Sequence, residues 1–201
     1  MTQKYSQELW NETRRIDEWR VFLRHDFQNK SRLIAYDIVE KLANGYPLSL
    51  CEVGFGNAYD FQACFRHLHD AGRIAYTGYD ITKLFVFFAG QDYPGYEWRV
   101  GSFGDLQPMG YDITYTRHTL EHAEPDIMPI CLRELLAATR NTCIITWFLK
   151  PSYEHIQQFK TSWVNTYDAD AVADVICGCG FGLKIIESGK SDAVYIAERL
   201  P

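Results

Sequence analysis

Three places in the chain hold residues whose types and spacing could do chemistry. The first is Glu52-Val53-Gly54-Phe55-Gly56-Asn57-Ala58-Tyr59, a carboxylate and a Gly-x-Gly turn that follow an apolar run. Glycine in such a turn lets the backbone bend tightly and brings a ligand close to the main chain. The second is Asp80, which closes the apolar run from Ile74 and stands 26 residues after Gly54. A carboxylate so placed can accept two hydrogen bonds from a ribose diol; the competing reading is a helix N-cap. The third is Arg117-His118-Thr119-Leu120-Glu121-His122. If that turn is helical, His118 and His122 share one face. A neutral imidazole there is a base suited to pH 7. The histidine pair has no third ligand at useful spacing, so no metal is expected. Cys177 and Cys179 read as part of a glycine-rich helix end.

These residues need elements to hold them. Apolar periodicity predicts a helix over 31–42, ended by Asn44-Gly45 and Pro47. After that stop, strands predicted at 48–53, 75–79, 96–100, 112–116 and 142–148 alternate with helices at 61–69, 83–89, 129–140 and 169–177. Two last strands follow at 183–188 and 193–199. The alternation predicts an α/β, doubly wound, mostly parallel sheet. The link between the last two strands is short, which only an antiparallel pair can use. In a doubly wound sheet the glycine turn falls at the carboxyl end of the first strand, where ligands bind. Residues 1–44 are expected to be an N-terminal helical extension that either lids the site or buries one face on the sheet, and 45–201 the ligand-binding core of a single domain.

Composition narrows the functions. With 20 basic and 26 acidic residues the 201-residue chain carries a net charge of −6, so bulk charge gives no reason to expect nucleic acid as partner. No apolar run approaches the length of a membrane span, and no signal region is visible. The six cysteines show no C-x-x-C spacing and read as reduced thiols. A cytoplasmic protein with no membrane partner is the expectation. A dinucleotide would ask for a third glycine where Tyr59 stands, which argues against a nicotinamide oxidoreductase. A ligand with a ribose and no pyrophosphate is favoured, and S-adenosyl-L-methionine has that make-up.

The ordered set Glu52-Val53-Gly54-Phe55-Gly56, Tyr79-Asp80, Gly101-Ser102-Phe103 and Tyr111 through His122 resembles the successive motifs of class I S-adenosylmethionine-dependent methyltransferases. The resemblance covers about residues 48–199. It implies a Rossmann-like sheet of seven strands, order 3-2-1-4-5-7-6, with strand 7 antiparallel. It further implies that Gly54, Phe55 and Gly56 approach the methionine part of the cofactor and that Glu52 orients its amino group. Asp80 would take the ribose hydroxyls and Ile81 would pack on the adenine. Ser102 and Phe103 would lie at the adenine edge, where many relatives carry an Asp in place of Ser102, with the backbone or Asp105 as the alternative contact to the adenine amino group. Arg117 and His118 would face the methionine end. Methyl transfer needs a base only when the acceptor must lose a proton, and His118 is the candidate catalytic residue. Trp147, Tyr153, His155, Trp163 and Tyr167 after the fifth strand, and Trp19 on the N-terminal extension, are candidate substrate-binding rings. The acceptor expected is a small molecule, methylated on oxygen or nitrogen, and a homodimer is compatible with the resemblance. A non-catalytic binding module of the same fold is the alternative, because fold does not establish function.

Overall fold

The computed structural model describes residues 30–148, 167–187 and 192–201. The chain enters through helix α1, Lys30–Leu42, whose face of Ser31, Arg32, Ala35 and Val39 is buried. Strand β1, Leu48–Val53, leads into the glycine turn. The helix after the turn opens as a π turn, Phe61–Phe65, and continues as α2, Arg66–Asp70. Next come β2, Ile74–Asp80, α3, Lys83–Asp92, and β3, Glu97–Val100. A 3-10 turn, Phe103–Asp105, precedes β4, Tyr111–Arg117, and a second one, Leu120–His122, follows it. The chain then forms α4, Met128–Ala138, β5, Thr139–Phe148, α5, Ala169–Gly178, β6, Phe181–Glu187, and β7, Asp192–Arg199.

The seven strands lie in the order β3-β2-β1-β4-β5-β7-β6. β7 runs antiparallel to both β5 and β6, and the pairs among the first five strands are parallel. This is the expected topology. The strand order reverses between β1 and β4, with β2 and β3 added on one side and β4 and β5 on the other, which makes the carboxyl ends there the place for a ligand.

The predicted junction between α4 and β5 is misplaced, β6 begins two residues before its predicted start, and α3 runs three residues beyond its predicted end. The helix expected over 129–140 stops at Ala138, and Thr139 and Arg140 already belong to β5. No glycine or proline separates them. Thr139 instead donates its Oγ1 hydrogen to Leu135 O at 2.8 Å while its backbone pairs with Tyr111, so helix passes straight into strand. Arg140 is held outside by Met109 O, Gly110 O and Asp112.

Both sheet faces are covered, as a parallel sheet requires. One face packs Leu50, Tyr115, Ile144 and Ile196 under α1, the π turn and α3, with Phe61 and Phe65 at its centre. The other packs Cys51, Val53, Ile145 and Tyr195 under α4 and α5. The described part of the N-terminal extension is thus a layer of the core. α1 packs against β5 and β7, and its far end is tied to the start of β2, where Arg73 donates to Glu40 O and Ala43 O. Its first turn therefore sits at the carboxyl end of the sheet. Residues 1–29 of the extension, including Trp19, lie outside the described residues. All six cysteines are free thiols. No helix of the described residues is long and apolar enough to cross a membrane.

Candidate ligand site at the carboxyl end of the sheet

The register sets the site. Glu52, Gly78 and Tyr115 stand abreast on β1, β2 and β4. Alternation along the strands then places Gly54, Asp80 and Arg117 on the same face at the carboxyl end.

The turn after β1 is left-handed at Gly54 (φ 77°), Gly56 (φ 55°) and Ala58 (φ 57°). Gly54 has no room for a side chain: a Cβ there would lie 2.3 Å from Thr119 Oγ1. Its N–H continues the β1–β2 ladder to Tyr79 O at 2.7 Å. Ala58 pays for its left-handed conformation with strain of about 1–2 kcal/mol, held in place by burial and by its N–H bond to Phe55 O. The Phe55 ring turns away from the site into the core, 4.9 Å from the Trp98 ring, in space that Gly78 leaves open. Phe55 can therefore meet a ligand only through its backbone, narrower than the contact expected of it. Tyr59, at the third glycine position, is buried with its ring under the Arg32 guanidinium at 4.4 Å.

Asp80 is 5% exposed. Its Oδ2 accepts the Gly56 N–H at 2.9 Å and its Oδ1 the Thr82 N–H at 2.8 Å. The carboxylate thus fixes the glycine turn and starts α3 at once, and each oxygen keeps a lone pair for a diol. Burial pushes its pKa up to about 6, against the pull of those two N–H groups. Ile81 is half-buried beside it. Ser102 and Asp105 cap the 3-10 turn reciprocally: Asp105 Oδ2 accepts from the Ser102 N–H at 2.7 Å and from its hydroxyl at 3.1 Å. Phe103 is buried in the second core layer.

Glu52 is buried, and its Oε2 accepts the Tyr76 hydroxyl at 2.6 Å. Burial, and then the nearby Asp60 charge, raise its pKa to about 8, while Tyr76, Arg32 and Arg117 oppose the rise. The Asp60–Arg32 ion pair and the Tyr115 hydroxyl bonded to Asp60 complete a polar cluster on this face. Neither Arg32 nor Asp60 figured among the expected site residues. The visible signal for Arg32 is a charge at the start of the stripe it shares with Ala35 and Val39.

β4 ends in an abrupt turn. His118 is itself left-handed (φ 49°), and its N–H reaches across to Thr146 O at 2.9 Å. The condition for His118 and His122 to share a face is not met: only the short 3-10 segment Leu120–His122 is helical, and His118 precedes it. His118 Nδ1 instead lies 2.9 Å from Glu121 Oε1. Glu121 is buried, whereas His118 is 21% exposed. A carboxylate at Nδ1 orients the ring and favours the tautomer with a proton there, which leaves Nε2 as the basic nitrogen.

Of the candidate acceptor rings, Tyr153, His155 and Trp163 lie outside the described residues. Trp147 is 3% exposed and packs edge-on against Tyr195, so its placement is that of a core residue rather than of a pocket wall. Tyr167 is half-buried and donates its hydroxyl to Ala123 O at 2.7 Å, which pins the chain before α5 to the loop after β4. Among the described residues no three His, Cys, Asp or Glu side chains are grouped to hold a metal ion.

No protein-family model matches the chain, and no curated protein matches it by sequence. Solved structures do match. A magnesium protoporphyrin IX methyltransferase from Synechocystis PCC 6803 with bound S-adenosylmethionine superposes with a TM-score of 0.76 at 16% identity, over 100% of this chain and 98% of that one. A 1,6-didemethyltoxoflavin-N1-methyltransferase from Burkholderia thailandensis, with 1,6-didemethyltoxoflavin and S-adenosylhomocysteine bound, gives 0.73 at 13% identity over 100% and 91%. A [4+2]-cyclase gives 0.64 at 13% identity over 84% and 80%. The strand order, the antiparallel β7 and these superpositions together show that the chain has the Rossmann-like fold of class I S-adenosylmethionine-dependent methyltransferases.

Proposed function

We propose that the chain binds S-adenosyl-L-methionine at the carboxyl ends of β1, β2 and β4 and transfers its methyl group to oxygen or nitrogen of a small-molecule acceptor. The observation that carries this reading is the Asp80 carboxylate, buried and bonded to Gly56 N–H at the lip of a left-handed glycine turn. The residues fit the cofactor by the chemistry of their donors and acceptors. Asp80 offers acceptor lone pairs to a ribose diol. Glu52 offers a carboxylate to the ammonium of the amino-acid tail, and Arg117 a guanidinium to its carboxylate. Gly54 and Gly56 let the tail lie against the backbone, Ile81 flanks the adenine, and Ser102 and Phe103 border its edge.

The cofactor supplies a methyl group on a sulfonium, which leaves as a neutral thioether. The chain contributes position and proton transfer. The strained turn at His118 holds the imidazole at the end of β4, and Glu121 fixes its Nδ1 side. Nε2 would then accept the proton of a hydroxyl or amine as that atom is methylated. Tyr167, and the rings of Tyr153, His155, Trp163 and Trp19, are proposed to contribute to the acceptor side. Trp147 contributes through packing.

The test is turnover. Purified protein with S-adenosylmethionine and panels of phenols, carboxylic acids and amines should release S-adenosylhomocysteine in an acceptor-dependent way, and His118→Asn should abolish it for the phenols and amines, which must lose a proton. Tight binding without turnover on any panel would favour the second reading, a non-catalytic module or an enzyme of other chemistry. The cyclase of the same fold is the observation that keeps that reading in play.

A further inference from the structure

Arg32 lies outside every motif of the site, on the first turn of a helix that precedes β1. It is nevertheless 3% exposed, and its Nε donates to Asp60 Oδ1. Its guanidinium covers the Tyr59 ring at 4.4 Å, and Asp60 Oδ2 accepts the Tyr115 hydroxyl at 3.1 Å. Asp60 follows the glycine turn by four residues and stands at the head of the π turn. α1 is therefore fastened to the turn from below, by an ion pair removed from water.

A buried ion pair is a weak source of stability, since apolar residues of similar volume would hold the layers together as well. Its electrostatic consequence is more specific. The groups that face Glu52 are Tyr76 from β2, Tyr115 and Arg117 from β4, Asp60 and Cys64 from the π turn, and Arg32 from α1. Asp60 is the carboxylate among them, and it opposes a negative charge on Glu52. Arg32 is bonded to Asp60 and counters that opposition.

We propose that Arg32 is a positioning residue for the amino-acid end of the cofactor. Acting through Asp60, it anchors the segment after the glycine turn and keeps Glu52 able to carry the negative charge that receives an ammonium group. The inference rests on the cofactor reading above. It assigns α1 to the ligand site although none of its side chains need touch the ligand.

The experiment uses the full chain and the variants Arg32→Met, Arg32→Lys, Glu52→Gln and the Arg32→Met/Glu52→Gln pair. S-adenosylhomocysteine affinity is measured by calorimetry from pH 6 to 9, and melting temperature over the same range without ligand. Arg32→Met should weaken binding at pH 7 by about tenfold or more and displace the pH profile upward, because a proton held more tightly on Glu52 must leave first. Arg32→Lys should restore most of the profile. In the Glu52→Gln background Arg32→Met should no longer move it; titration of the ligand's own amino group is common to all the variants and cancels in the comparison. A profile unchanged in Arg32→Met, with only the melting temperature lowered, would overturn the proposal. If Arg32→Met does not fold, Arg32→Gln decides, as a neutral side chain that can still hydrogen-bond to Asp60: an upward-displaced profile supports charge acting through Asp60, whereas a wild-type profile overturns it. A wild-type protein that fails to bind S-adenosylhomocysteine refutes the cofactor reading and not the coupling. The coupling is then read in the free protein, as an upward shift in Arg32→Met of the pH window in which wild type and Glu52→Gln diverge in melting temperature. Absence of that shift overturns it.

Discussion

Asp80→Asn separates a ligand-binding carboxylate from a capping one. In the fold the carboxylate serves Gly56 N–H and Thr82 N–H, so a purely structural role would make the substitution destabilising. Burial nevertheless raises its pKa to about 6 from 3.8. At about 1.4 kcal/mol per tenfold change in proton affinity, the charged form is disfavoured by about 3 kcal/mol at neutral pH. The sign follows: the folded pKa lies above the unfolded one, so the contribution is fully present below about pH 4 and is lost as pH rises through about 6. Asparagine removes that loss. Its one carbonyl oxygen can serve only one of the two N–H groups, which costs about 1–3 kcal/mol for the other. The two effects offset, so stability at pH 7.5 should stay within about 2 kcal/mol of wild type, or about 8 °C in melting temperature. A ribose diol bound by the carboxylate makes charge-assisted bonds of about 1.5–3 kcal/mol each. Losing roughly 3 kcal/mol of them weakens binding on the order of 100-fold. Scanning calorimetry and titration with S-adenosylhomocysteine read the two quantities separately. Retained affinity together with a melting temperature lowered well beyond 8 °C would refute the reasoning and leave Asp80 as a cap alone.

Gly54→Ala should destabilise the fold by about 2 kcal/mol or more from left-handed strain and the collision with Thr119. Adding Thr119→Gly should recover the collision and leave the strain, as chemical denaturation of the two single variants and the double would resolve. Glu121→Gln should lower the turnover number by up to about 100-fold with S-adenosylhomocysteine affinity changed by less than about threefold, since Glu121 orients His118 rather than the cofactor. Loss of cofactor affinity with unchanged turnover would contradict that assignment. Glu52, whose folded pKa is raised to about 8, should cost the wild-type protein stability as pH rises from about 4.5 through 8. Melting curves from pH 5 to 9 should therefore show Glu52→Gln gaining on wild type over that window.

Much of the scaffold is legible in local pattern. β1 runs over the predicted 48–53, and β2 extends the predicted run by one residue at each end, because each is a short apolar run between a turn and a glycine or an acid. The junction of α4 and β5 is not legible. Leu135 to Thr142 contains no breaker, and the change from helix to strand is set by the pairing of Thr139 with Tyr111, far away in sequence. The site divides in the same way. Gly54, Gly56, Asp80 and Glu52 announce themselves because turn chemistry and strand ends are local. The partner of His118 is not legible, because the turn is set from another strand: the Thr146 carbonyl takes the His118 N–H, the backbone goes left-handed, and Glu121 meets the ring. Asp60 carries no local signal, since its cation is 28 residues earlier on another element.

The central claim is that this sheet end receives S-adenosylmethionine. Isothermal titration of the full chain with S-adenosylhomocysteine at pH 7.5 tests it most directly. One saturable site per chain, strongly weakened by Asp80→Asn and not displaced by reduced nicotinamide dinucleotide, is the predicted result. No heat of binding at millimolar ligand to a protein that melts cooperatively would contradict it.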